Sequence, residues 1–409
     1  MIFNTWLFAL FGFWVFVLYW YVVPKRWRPE FVMVSGVVFY SASIPAYTVL
    51  IAALGIATYG TVQWINHTPM EDHRQRRLAL TIGVAASVGV LAFFKYTKFF
   101  AATIQDVCKG GCIHTVPNLI VPLAVSFFTF EFVHVLVDVY LGKLKRVTLR
   151  DFWVFTLFFP TMVAGPIKRY QNFVPQIPRT TNLGSLNHLV FAAGVFRIIL
   201  GLAKKSIIAD SMNPLIQPLL TPGPLYGWWD YVTGTLAYTA KIYFDFTGYS
   251  DIAIGCAALL GFQILENFDR PYWSQNISIF WRRWHMSLSS WIRDYIFIPL
   301  GGSHRGKVGT VANLTVVMAL AGLWHGAAWH FVVWGLWHGA GLAAHRVWQL
   351  SIAKRLPVLG ALAPLSIVGT FAFVALGWVL FASPTLAIAG TVYSELLHPF
   401  HSSAPALRH

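Results

Sequence analysis

Histidine is the side chain best suited to moving protons near neutral pH. Three of the fourteen in this chain fall within one otherwise apolar stretch, Ala321–Gly339 (AGLWHGAAWHFVVWGLWHG), as His325, His330 and His338. The pentapeptide GLWHG occurs twice, thirteen residues apart, and boxes His325 and His338 between Trp and Gly. Small residues let helices approach closely, and the indoles, Trp324 among them, exclude water. A single histidine in such a setting is more often a hydrogen-bonded core residue, but three so close together turn the balance toward chemistry or a metal. Metal is the weaker of the two. Spacings of five and eight residues do not bring all three rings onto one helix face, carboxylates are absent nearby, and no HExxH pair occurs. No metal ligand set is assigned.

A second reactive stretch is Phe280–Gly302 (FWRRWHMSLSSWIRDYIFIPLGG). At helical spacing Trp281, Trp284, Leu288, Trp291 and Tyr295 form an aromatic stripe, while Arg282, His285, Ser289 and Arg293 share a polar face. Two readings stand level here. One is a helix lying in the headgroup layer, anchored by Trp and Arg. The other is a donor site in which Arg282, Arg283 and Arg293, with Trp281 and Trp284, gather the phosphates of a nucleotide-bearing substrate while His285 faces a cavity. A third stretch, Tyr243–Asp251 (YFDFTGYSD), puts Asp245, Tyr249 and Asp251 where lipid would otherwise be. A mid-membrane carboxylate costs about 2.5–3.5 kcal/mol on insertion scales, so these groups face protein. They either line an interior cavity, with Trp324 and His338, or hydrogen-bond broken helices. A Gly-x-Ser-x-Gly elbow and a phosphate-binding loop are both missing from the sequence, which removes the sequence support for a serine acyl-enzyme and for ATP-driven transport.

The elements that must position these residues follow from composition. Hydrophobic residues make up 57% of 409 and charged residues 11%, with a mean hydropathy of +0.60. Soluble domains carry roughly 25% charge, so the main solvent is lipid. The length accommodates about ten crossings of about 20 residues each. Thirty Lys+Arg against fifteen Asp+Glu give +15. The basic residues cluster between apolar runs, as cytoplasmic loops beside anionic headgroups do, and no nucleic-acid partner is needed to explain them. Trp6–Val23 reads as a retained first helix and not a cleaved signal peptide, because its basic cluster follows the apolar run. Phe31–Ile65 is split by Pro45, and Leu78–Phe100, Leu119–Leu141 and Leu189–Ile208 are further spans. Phe152–Met162 is too short to cross and reads as re-entrant, covered by protein. Tyr231–Phe262 is long enough to break at Gly248, Ile277–Ile298 is amphipathic, and Val311–Leu323, Trp329–Ala344 and Leu365–Phe381 complete the set. The chain therefore reads as a single all-α polytopic membrane domain over 1–409, with a short tail at 382–409. Cys108 and Cys112 flank a polar loop, and a disulfide or two ordinary thiols suit that spacing equally.

In its motifs the chain resembles the membrane-bound O-acyltransferase family, in the branch that contains alginate O-acetyltransferase and other exopolysaccharide acetylation proteins. The resemblance rests on Phe159–Tyr170 (FPTMVAGPIKRY), Lys241–Asp251 (KIYFDFTGYSD), Glu266–Tyr272 (ENFDRPY), Phe280–Gly302 and Gly322–Gly326, which together span most of residues 120–345. The sister branch of D-alanyl transfer proteins shares the WRRWHMS-like core, but RDYIFIPLGG here is similar to the polysaccharide branch. Lipid acyltransferases of the family carry Asn where this chain has His285, which argues against a sterol or neutral-lipid acceptor. The chain stops at residue 409, earlier than many members of the branch.

The resemblance implies a fold of roughly 10–12 transmembrane or re-entrant helices, each spanning or part-spanning the bilayer, around a funnel or tunnel. Within it His325 is the catalytic base and His285 the second polar residue of the site. It implies acetyl-CoA or a similar acyl-CoA as donor substrate, with no permanently bound cofactor. It also implies a bacterial inner-membrane location beside membrane lipid, with a polysaccharide synthase or secretion complex and a periplasmic acetyltransferase or acceptor protein as partners. On this reading His325 takes the proton of an acceptor hydroxyl as it attacks the thioester, while His285 orients the acceptor or stabilises the oxyanion. The rival from another class is a transporter or channel of a secretion complex. It explains the polar mid-span residues but not the clustered WRRWH and GLWHG elements.

Overall fold

The computed structural model describes residues 3, 5–108, 119–178, 187–351 and 363–399. Cys112, and with it the pairing of Cys108, lies outside the described residues, as does the tail beyond 399. Among the described residues all regular structure is helical and no strand occurs, as the apolar runs lead one to expect. The chain divides into two compact units, residues 1–202 with 249–266, and residues 203–248 with 267–409.

The first unit is built from α1 (Trp6–Val17), α2 (Arg28–Ser41), α3 (Pro45–His67), α4 (His73–Val107), α5 (Val125–Tyr140), α6 (Leu149–Thr156) and α7 (His188–Leu202). Their starts are written in the sequence. Thr5 and Asp72 accept from the backbone N–H three residues on, at 3.3 and 3.0 Å, and Pro45 supplies the first residue of α3. Helix α5 is buried from Phe128 to Leu136, although Thr129, Glu131, His134 and Asp138 lie along it. A polar group without water needs a partner; Thr129 donates to the Val125 carbonyl at 2.9 Å, and the partners of the other three come from the segment after α6. Lys168 pairs with Glu131. Gln171 Oε1 lies 3.0 Å from His134 Nε2, and Gln171 Nε2 donates to Asp138 at 3.1 Å. The segment read as re-entrant is covered by protein as anticipated: Phe152, Phe155, Phe158 and Phe159 are buried.

Helix α8 (Trp228–Leu259) runs without interruption, which corrects the anticipated break at Gly248. In an apolar solvent an interrupted helix leaves backbone groups unpaired, and one glycine does not outweigh that cost. The second unit continues with α9 (Ile277–Arg283), α10 (Met286–Ile292), α11 (Gly306–His325), α12 (Trp329–Ser351), α13 (Ala363–Ala382) and α14 (Leu386–Leu397). Four described helices are long and apolar enough to cross a membrane: α3, α4, α11 and Pro364–Ala382 within α13. Packing of α11 on α12 explains the repeated pentapeptide. A methyl group on Gly322 would sit 2.1 Å from the Phe331 carbonyl oxygen, and one on Gly335 would sit 2.1 Å from that of Met318. Only glycine lets the backbones come this close.

The buried Glu131–Lys168 pair ties the segment after α6 to α5. Removing one partner of a buried pair costs about 3–5 kcal/mol, because the other charge is stranded. Lys168→Met is therefore expected to lower the thermal midpoint of the detergent-solubilised protein sharply, and adding Glu131→Leu should recover most of the loss. A wild-type midpoint in the single variant would show that the pair does not hold the segment.

Candidate active site

Helix α11 ends at His325 because Gly326 takes an extended conformation, φ −158° and ψ 146°. The imidazole therefore stands at a helix terminus, half-buried, with the Trp324 ring 4.8 Å away, Trp334 at 5.1 Å and Phe381 at 5.2 Å, centroid to centroid. His338 follows Gly335 by three residues, as His325 follows Gly322, but it is fully buried. Its ring is 5.0 Å from Trp334 and 5.1 Å from Trp281. Trp334 thus touches both imidazoles of the repeated motif. His330 is different: its Nδ1 lies 3.0 Å from the Leu380 carbonyl oxygen, so it is a hydrogen-bonded core histidine that fixes the start of α12.

His285 occupies a break in the chain. Ile277–Ile298 is not the continuous amphipathic helix that its periodicity suggests. It is α9, then α10, then a π-helical turn at Arg293–Phe297. Between α9 and α10 His285 takes φ 43° and ψ 55°, the left-handed region that costs a non-glycine residue about 1–2 kcal/mol. Asn267 holds it there. Met286 N–H donates to the Asn267 carbonyl at 2.9 Å. Asn267 Oδ1 accepts from Ser287 N–H at 3.2 Å and from Ser287 Oγ at 2.9 Å, and it lies 3.1 Å from His285 Nδ1. A backbone N–H can only donate, so this Asn267 atom is the oxygen, and His285 Nδ1 must carry the proton. Nε2 of neutral His285 is then the lone-pair nitrogen. The ring packs edge-on against Phe246, 4.6 Å away.

The break at His285 also separates residues that were placed on one polar face. Arg282 is exposed. Arg283 is half-buried, 3.7 Å from Asp269. Arg293 is exposed and bonded to the neighbouring Asp294 at 2.8 Å. Trp284, grouped with them in sequence, is instead a core ring, stacked 5.6 Å from Phe280 and 5.0 Å from Trp378. The two mid-span carboxylates are engaged in ion pairs in different units. Asp251 bonds Arg197 at 2.9 Å, and Asp245 bonds Lys205 at 2.9 Å. Tyr249 belongs to the first unit with Asp251, its ring 6.2 Å from Phe3. Histidines, tryptophans and Asn267 thus belong to the second unit, and Tyr249 and Asp251 to the first. No group of three or more His, Cys, Asp or Glu suited to a metal ion occurs among the described residues. Sequence reasoning did not single out Asn267 or Trp334. Asn267 lies in the quoted ENFDRPY motif, but nothing in its spacing announces a partner eighteen residues away.

Helical throughout its described residues, apolar and carrying buried histidines, the chain is a membrane protein. Residues 79–377 match the family model described as MBOAT, membrane-bound O-acyltransferase family, and the chain belongs to that family. It is 36% identical over 400 residues to the probable alginate O-acetylase AlgI of Azotobacter vinelandii, covering 97% of this chain and 78% of that one. It is 36% identical over 402 residues to the protein of the same name from Pseudomonas aeruginosa, with 97% and 75% covered. It is 32% identical over 394 residues to the peptidoglycan O-acetyltransferase of Helicobacter pylori, with 90% and 72% covered. The chain is an O-acyltransferase.

Asn267→Ala leaves the buried His285 Nδ1–H without its acceptor, a loss of about 1–3 kcal/mol. We expect a lower thermal midpoint and a reduced kcat, with Asn267→Asp, which keeps an acceptor, falling between the Ala variant and wild type. An Ala variant equal to wild type in both measurements would remove Asn267 from any positioning role.

Proposed function

We propose that the protein transfers an acetyl group from acetyl-CoA to a hydroxyl of an exported polysaccharide at the bacterial inner membrane, directly or through a periplasmic acetyltransferase or acceptor protein. It would do so beside a polysaccharide synthase or secretion complex. The observation that carries this reading is the presence in one unit of two imidazoles with different settings: His325, half-buried at a helix end, and His285, held in one tautomer by Asn267. The alginate and peptidoglycan acetylating relatives support a polymer hydroxyl as acceptor.

In the proposed reaction His325 accepts the proton of the acceptor hydroxyl as the oxygen attacks the acyl carbon. A C–O bond forms, the C–S bond breaks, and the proton passes from His325 to the departing thiolate, so that alcohol and thioester become ester and thiol. His285, through its Nε2 lone pair, accepts from and orients the acceptor. The exposed Arg282, with Arg283 and Arg293, supplies positive charge for the donor's phosphates. No residue needs a permanent cofactor in this scheme.

General-base help is worth about 10²–10⁴-fold. His325→Ala is therefore expected to lower thiol release from acetyl-CoA by at least about a hundredfold in purified, folded protein. An unchanged rate would sink the assignment. The same assay separates the transporter reading, since a transporter does not consume the thioester.

A further inference from the structure

The acyl-transfer reading leaves one cluster of the second unit unused. The rings of Trp281, Trp334 and His338 form a triangle with centroids 5.8, 5.0 and 5.1 Å apart. Trp334 and His338 are essentially inaccessible, at 1% and 0% exposure. The indole N–H of Trp281, the indole N–H of Trp334 and both nitrogens of His338 are buried with no hydrogen-bond partner among the described residues. Each unpaired buried group costs about 1–3 kcal/mol, and a phenylalanine at any of the three positions would avoid that cost. Isolated buried hydroxyls such as those of Thr156 and Ser383 also lack a partner, but here three ring groups with unpaired nitrogens are in mutual contact.

Resting on the acyl-transfer reading and deepening it, we propose that Trp281, Trp334 and His338 cradle the carbonyl oxygen of the acyl group during transfer. The chemistry of the donors selects that ligand. An indole only donates, and neutral imidazole adds one further N–H, so the cluster receives an acceptor atom and not an ammonium. The walls are aromatic: Phe280 stacks 6.3 Å from His338, and Phe373 stands edge-on at 5.8 Å. Such walls suit a neutral carbonyl far better than a phosphate, whose burial without a cation is prohibitive. Place in the molecule points the same way. Trp334 touches both His338 and His325, at 5.0 and 5.1 Å. An acyl group held by the cradle is therefore one ring away from the proposed base. Gly377 packs close to His338 Nε2, and a methyl group there would come within 3.0 Å of it.

The role is transient charge. As the acceptor oxygen bonds to the acyl carbon, the carbonyl π pair moves onto the carbonyl oxygen, and the cradle's N–H groups hold that negative charge. The pair returns when the C–S bond breaks and the thiolate leaves with the proton carried by His325. Donors aimed at an oxyanion act on kcat more than on substrate binding.

The test uses the full chain in detergent or nanodiscs, with acetyl-CoA as probe, and follows thiol release and thermal unfolding together. His338→Phe is expected to unfold at or above the wild-type temperature while kcat falls by about 10²–10³-fold, with the KM for acetyl-CoA little changed. His338→Gln, which restores a donor and an acceptor, should recover part of the rate. Trp334→Phe, which keeps an aromatic ring but not the N–H, should lose at least about tenfold in kcat. A His338→Phe protein as fast as wild type overturns the cradle. So does a rate that falls only in step with stability, or equal losses in the Phe and Gln variants. Should His338→Phe not fold, a Trp334→Phe protein with wild-type kcat has the same consequence. Wild-type protein that consumes no acetyl-CoA would instead defeat the acyl-transfer reading beneath it.

Discussion

In a hydrocarbon solvent a polar side chain has no water to fall back on, so each one inside the chain needs a partner or a task. That constraint organises the molecule. In the first unit it converts a short apolar segment, unable to span, into the lid of a polar face. Glu131, His134 and Asp138 recur along α5 at three- and four-residue steps, and Lys168 and Gln171 come back to meet them. In the second unit the same rule gives Asp245 to Lys205 and His330 to a backbone carbonyl. Once these are set aside, a cluster of ring nitrogens on Trp281, Trp334 and His338 stands out among the polar groups without a partner.

Helices, their apolar character and many of their ends were legible because each follows from a local signal. Pro45 divides one long run into α2 and α3, and Phe152–Met162 is too short to cross wherever it is placed. The family is legible too, because its motifs are contiguous strings. Two errors share a cause. Gly248 does not break α8, and the stripe through Trp281, Trp284, Leu288, Trp291 and Tyr295 does not form one helix. Periodicity describes what a regular helix would bury, but it is blind to a tertiary contact that overrides it. At Gly248 no such contact interrupts the backbone. At His285 one does, since Asn267 supplies the hydrogen bonds that a continuing helix would have made.

The contrast between the two copies of GLWHG shows how one local pattern yields two environments. The glycines play the same part in both, bringing α11 and α12 to backbone contact. What differs is where each histidine falls on its helix. His325 ends α11, where the turn through Gly326 leaves the ring half-exposed, whereas His338 lies in mid-helix with aromatic rings on every described side. A base needs a route to its substrate. A group that acts only by donating hydrogen bonds is stronger when dry, because its interactions are not screened by water. The two positions are therefore suited to different tasks despite their identical neighbours in sequence.

Strain and unmet hydrogen bonding both occur in the second unit. His285 sits in the left-handed region, while Trp281, Trp334 and His338 keep polar atoms unpaired. Each departure is destabilising, and a simple alternative exists for each: glycine at 285, phenylalanine at the ring positions. Folding alone gives no reason to retain the costlier side chain at four positions so close together. Costs of this kind persist where a surrounding structure enforces them and where the group does something the cheaper residue cannot. Asn267 provides the enforcement at 285, and close packing on α12 provides it at 338. What the costlier residues share is a nitrogen in a dry setting, which suits the acyl transfer proposed above.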